Sequence, residues 1–199
     1  MRLTAAVLAM ATLGLAACST TSSLQYAPPA AAVQPGPAAA VSAVSTLDQR
    51  DEKPNRVATI RGGYGNPLKV LDTARPVGEE VAAAVTAALQ ARGMMGSPGT
   101  SPYRVQIVLR TLYGDQYIGR KAVIDMDLRV ADRSGAIIYT DTVSDERREM
   151  TFFDNGVFAG INDLSKLVQA LLNASIDRML DREGLRAVLG GARPARPGT

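Results

Sequence analysis

The chain has 199 residues, with 22 Lys plus Arg, 19 Asp plus Glu, a single Cys, no His and no Trp. A formal charge of +3, spread along the chain rather than gathered in a run, argues against a nucleic-acid partner even at a pI near 9.2. Without His there is no Ser-His-Asp or Cys-His constellation and no His-containing zinc site; one Cys excludes an intramolecular disulfide and a thiolate metal cluster.

Residues 1–17, "MRLTAAVLAMATLGLAA", combine a positive Arg2 with an apolar run from Leu3 to Leu15. The run is shorter than the roughly 20 apolar residues that span a bilayer, so it reads as a secretory signal. Its end, Leu15-Ala16-Ala17-Cys18, resembles the bacterial lipobox: leucine, two small residues, then cysteine. The resemblance implies a diacylglyceryl group on the Cys18 thiol, cleavage before Cys18 and further acylation of the freed amine. The alternative is an ordinary signal peptide with an incidental thiol, which would be a liability in a secreted protein. Ser19, rather than Asp, follows the cysteine and resembles the outer-membrane-directed pattern.

Residues 18–56 change character, with Pro28, Pro29, Pro35 and Pro37 among Ala, Ser, Gly and Val. This composition predicts a semi-flexible linker carrying the lipidated Cys18. Fully extended, it would reach about 130 Å; as a coil it would span about 35 Å. The other possibility is that part of it packs on the domain.

A single domain is expected over residues 57–190, followed by a disordered tail at 191–199. "RVATI" (56–60) is a short strand, and "RGGYGNP" (61–67) a flexible connection from it to a helix over Pro76–Arg92, whose first turn holds Glu79 and Glu80. Tyr103–Gly114 and Lys121–Val130 alternate apolar and polar residues, and "AIIYTDTVSDERREM" (136–150) is a third long strand. A loop holding Phe152, Phe153 and Phe158 leads to a second helix over Asp163–Arg182, with Gly184 as its stop. The expected fold is α+β and two-layered. A mainly antiparallel sheet of about four strands carries two amphipathic helices on one face, in the order β-α-β-β-β-α.

Three places could carry function. Tyr113, Tyr117 and Ile118 lie on the hairpin "YGDQYIGR" (113–120), where exposed aromatics can mark a partner surface; local packing of the loop on itself is the competing reading. Asp125 and Asp127 share one side of a strand, near Arg110 and Arg129; a solvated face with cross-strand charge pairs competes with a binding or acid–base role. "RGGYGNP" could form an amide nest for an anion, but no phosphate-loop Gly-Lys-Ser/Thr follows it.

The lipobox, "RVATI", "RPVGEEVAAAVTAALQARG", "YRVQIVLRTL", "VIDMDLRV", the turn "DRSG" and "LVQALLNASIDRML" together resemble the YajG-like envelope lipoproteins over residues 57–182. The resemblance implies a small α+β lipoprotein with no catalytic motif. Function is therefore expected to be non-enzymatic, without cofactor or metal. The protein would be attached to the membrane through Cys18, in the outer membrane and facing the periplasm, and would bind another envelope protein as an accessory or scaffold. An auxiliary lipoprotein of a lipid or lipopolysaccharide transport system is the alternative, and an enzyme acting through Asp125 or Asp127 a third.

Overall fold

Chain with alternating or continuous apolar residues becomes strand wherever a neighbouring strand can satisfy its backbone groups. In the computed structural model, which describes residues 18–31, 33–150 and 160–191, this happens at more places than the three long alternating runs. The elements are β1 (Cys18–Ser22), β2 (Val41–Asp48), β3 (Arg56–Arg61), β4 (Pro67–Thr73), α1 (Val77–Ala91), β5 (Tyr103–Gln116), β6 (Arg120–Ala131), β7 (Ile137–Glu149), α2 (Ile161–Leu180) and α3 (Glu183–Leu189). The signal segment 1–17, the phenylalanine loop with Phe152, Phe153 and Phe158, and residues 192–199 of the tail lie outside the described residues.

The strands form one seven-stranded sheet in the order β1-β4-β3-β5-β6-β7, with β2 beside β5. β3·β4, β5·β6 and β6·β7 are antiparallel. β1·β4, β2·β5 and β3·β5 are parallel. The expected four-stranded, mainly antiparallel sheet with two helices in the order β-α-β-β-β-α is therefore incorrect: the sheet is mixed, has seven strands and carries three helices. β1 and β2 arise in the stretch expected to be a linker, and β4 in the stretch expected to run loosely into the first helix. The pairings of β1 and β2 are long-range, so local composition does not announce them, whereas β4 closes a hairpin with β3 through the turn at 62–66.

One long strand organises the rest. The first half of β5 pairs with β2, from Val41↔Tyr103 to Asp48↔Leu109, and its last residues pair with β3, from Ala58↔Gly114 to Ile60↔Gln116. The chain thus runs along the same edge of β5 twice. Arg50, its side chain buried, fixes the turn between the two passes by donating to Asp48 Oδ2 (2.9 Å), the Pro54 carbonyl (3.0 Å) and the Arg56 carbonyl (2.8 Å).

The helices cover one face of this sheet. α1 starts after Pro76, carries Glu79 and Glu80 at its positive end, and buries Val77, Val81, Val85, Ala88 and Leu89. Gly93, at a φ of 69°, takes the left-handed backbone that follows the helix. α2 buries Leu164, Leu167, Val168, Leu171, Leu172, Ile176, Met179 and Leu180. It ends at Leu180, and Gly184, expected as its stop, lies within α3. Both helices meet Ile107, Leu109, Leu112, Ile124, Met126 and Leu128 in a single core. Leu24, Ala40 and Val41 from the expected linker belong to that core as well.

A buried cation ties the N-terminal stretch to both helices. Arg92 donates to Asp177 (2.9 Å), Asp181 (3.1 Å) and the Tyr26 hydroxyl (3.1 Å), while Tyr26 donates to Asp177 (2.6 Å). Burial opposes the charge on Arg92, but the bonds to Asp181, Asp177 and Tyr26 outweigh it and hold the guanidinium protonated above the ordinary arginine range.

Candidate binding surface at the hairpin end of the sheet

Backbone register draws a line across the sheet near one end. Cys18 lies opposite Lys69, Lys69 opposite Ile60, Ile60 opposite Gln116, Gln116 opposite Arg120, and Arg120 opposite Glu149. At a strand spacing of about 4.8 Å, this row spans about 24 Å. Among the described residues, the strand ends and turns beyond it comprise Arg61, the β3–β4 turn (62–66), Pro67 and Leu68, the β5–β6 turn (117–119), and Met150 after β7.

The two turns are built to project and to hold each other. In the first, the Gly62 amide donates to the Asn66 carbonyl and the Gly65 amide to the Gly62 carbonyl, both at 2.8 Å, with Gly65 at a φ of 78°. This geometry leaves Tyr64 fully exposed. In the second turn Ile118 is 80 % exposed and Tyr117 is 42 % exposed. The Tyr117 hydroxyl donates to the Gly63 carbonyl at 2.9 Å and joins the turns. Behind them, Arg61 donates to Asp115 (2.7 Å) and to the Tyr113 hydroxyl (3.0 Å). Tyr113 is half-buried; burial pushes its phenol up, so it stays protonated and donates to Asp115 (3.2 Å). A cleft of 220 Å³ opens between the β5–β6 turn and Arg148–Met150. That is smaller than the clefts that usually enclose a small-molecule ligand.

Asp125 and Asp127 lie farther along β6, on the sheet face away from the helices. Arg110, set in a β-bulge between Leu109 and Thr111, bonds to Asp125 (3.0 Å) and to Asp127. Thr142 donates to Asp127 at 2.7 Å, and Arg129 lies 3.8 Å from it. Asp127 is buried by these partners. Burial would raise its pKa, but the bonds from Arg110 and Thr142 prevail and hold the carboxyl below the usual carboxylate range. The Arg110 pairs are internal to the sheet face and leave Asp127 little exposed surface to offer.

The expected site residues therefore fall into two groups. Tyr113, Tyr117 and Ile118 gather at the hairpin end, with Cys18 in the register row beside them; Asp125 and Asp127 form a separate charge network on β6. Sequence reasoning missed Tyr64 and Met150. A signal for Tyr64 was present: "GGYGN" between two runs able to pair is a hairpin turn.

No family model and no curated protein matches the chain. Solved structures do, at low identity. A candidate lipoprotein from Caulobacter crescentus CB15 is 16% identical, with a TM-score of 0.42, over 74% of this chain and 91% of that one. An uncharacterized protein is 11% identical, with a TM-score of 0.55, over 81% of this chain and 95% of that one. Protein XCC0632 from Xanthomonas campestris, of family DUF330, is 12% identical, with a TM-score of 0.55, over 86% of this chain and 94% of that one. Over most of its length the chain thus shares the fold of the Xanthomonas DUF330 protein.

Proposed function

We propose that the protein is a lipid-anchored component of the bacterial envelope that performs no catalysis and binds another envelope component as an accessory or scaffold. The observation that carries this reading is Leu15-Ala16-Ala17-Cys18 at the end of the apolar run from Leu3 to Leu15. Two or more acyl chains on Cys18 would give stable attachment, each buried methylene adding about 0.8 kcal/mol. In this reading attachment falls to Cys18; among the described residues, no helix is long and apolar enough to cross a membrane. Ser19 after the cysteine supports an outer-membrane, periplasm-facing location, and membership of the YajG-like lipoproteins belongs to the same proposal. The partner would meet the polar face of the sheet.

Metabolic labelling with palmitate tests the anchor. The parent is expected to take up label and the Cys18→Ser variant none. A parent that takes up no label, or a Cys18→Ser protein labelled as strongly as the parent, would sink the reading.

A further inference from the structure

We infer that the hairpin end of the sheet rests on the bilayer itself, with Tyr64, Tyr117, Ile118 and Met150 seated in its interfacial layer. The inference rests on the anchoring role proposed for Cys18 and adds an orientation to it.

Three observations converge. Among the described residues six large apolar side chains are exposed, and four of them, the residues just named, lie beyond the register row at this one end. Cys18 is itself the first residue of that row, so the point where the chain enters the membrane is level with the base of the turns. β1 begins at Cys18 and pairs with β4 residue by residue, from Cys18↔Lys69 to Ser22↔Thr73, so no slack separates the anchor from the sheet. An acylated Cys18 at the bilayer surface therefore brings the row to that surface.

The dimensions and chemistry agree. From Ile60 to Tyr64 the chain reaches no more than about 13 Å past the row. Interfacial side chains sink about 5–10 Å into the headgroup boundary. Tyrosine favours that layer because its ring is apolar and its hydroxyl wet, while Ile118 and Met150 supply apolar area. Beside the turns Arg61 pairs with Asp115 at 2.7 Å, while Lys121, at 3.3 Å, and Arg148 share the carboxylate of Glu146. The contact is led by its apolar side chains, as fits a surface held in place by its own anchor.

The test uses the lipidated full chain, extracted from membranes and reconstituted in vesicles of phosphatidylethanolamine and phosphatidylglycerol. Acylation of Cys18 leaves a single reactive thiol in Tyr64→Cys, in Ile118→Cys and in the control Ala136→Cys, which lies in the β6–β7 turn at the opposite end. Each thiol carries a fluorophore. Nitroxide-labelled phospholipid is expected to quench positions 64 and 118 several-fold more than position 136, and iodide in the aqueous phase to do the reverse. Iodide quenching of 64 and 118 equal to that of 136 would overturn the inference. Shielding of both from iodide without quenching by the labelled lipid would also overturn it, in favour of a protein occupant. If the chain failed to float with the vesicles, the anchor would fail first and the orientation with it.

Discussion

Gly114 lies where α2 crosses β5, and the closeness of that crossing depends on its missing side chain. A Cβ there would stand 2.7 Å from Val168 Cγ2 and 3.0 Å from the Ala58 Cβ, with Leu164 at 3.3 Å. Gly114→Ala is expected to destabilise the fold by about 1–3 kcal/mol, the cost of overpacking, seen as a lower urea midpoint; an unchanged midpoint would mean that α2 rides looser than described. Arg92→Met should cost about 3 kcal/mol. It removes the cation shared by Asp177, Asp181 and the Tyr26 hydroxyl; Asp177 keeps its bond from Tyr26 and some access to water, which holds the loss to the lower end for a broken buried pair. A thermal melt of that variant, within a degree or so of the parent, would contradict this. Asp127 sets a pH dependence. Its pKa is depressed on folding, so its contribution is complete above the unfolded value of about 3.9 and is lost as pH falls through the lower folded value. Asp127→Asn should therefore flatten the acid limb of stability against pH; an acid limb as steep as the parent's would place that dependence on other carboxyls.

At the scale of elements, legibility followed locality. α1, α2 and the strands β5, β6 and β7 were readable because each carries its own period: the helical stripe Val77-Val81-Val85-Ala88, or the alternation Ala122-Ile124-Met126. β4 carries none. Val70 and Leu71 are both buried at successive positions, and Pro67 and Asp72 punctuate the run. β1, "CSTTS", has no apolar side chain beyond its cysteine and exists because β4 offers it an edge. β2 sits in Ala- and Ser-rich sequence, yet it delivers Val41 to the core and pairs with half of β5. The site divided the same way. Tyr117 and Ile118 were legible because two clear strands flank them, while Tyr64 was hidden by the strand missed beyond it. The consequence is measurable: a fragment starting at Val57 would lose Leu24, Ala40 and Val41 from the core and uncover the edge of β5. It should aggregate or melt far below a chain starting at Cys18, whereas equal melting temperatures would make residues 18–56 the loose tether their composition suggests.

At the scale of the molecule, the strands expected to be tether change what an anchor would do. A lipid on a long coil would let the domain sample a wide shell around its attachment point. A lipid on the first residue of β1 fixes one end of the sheet at the bilayer and presents the opposite end, with the β6–β7 turn, to whatever the protein meets. The polar sheet face carrying Arg110, Asp125 and Asp127 would then stand upright from the membrane, accessible from the side. All of this depends on what is attached at Cys18. The most direct measurement is the mass of the N-terminal peptide of protein extracted from membranes. Residues 1–17 are expected to be absent, and Cys18 to carry a glyceryl group with two ester-linked chains, with or without a further acyl group on its amine. A membrane-extracted protein that begins elsewhere, or whose Cys18 is an unmodified thiol, would contradict it.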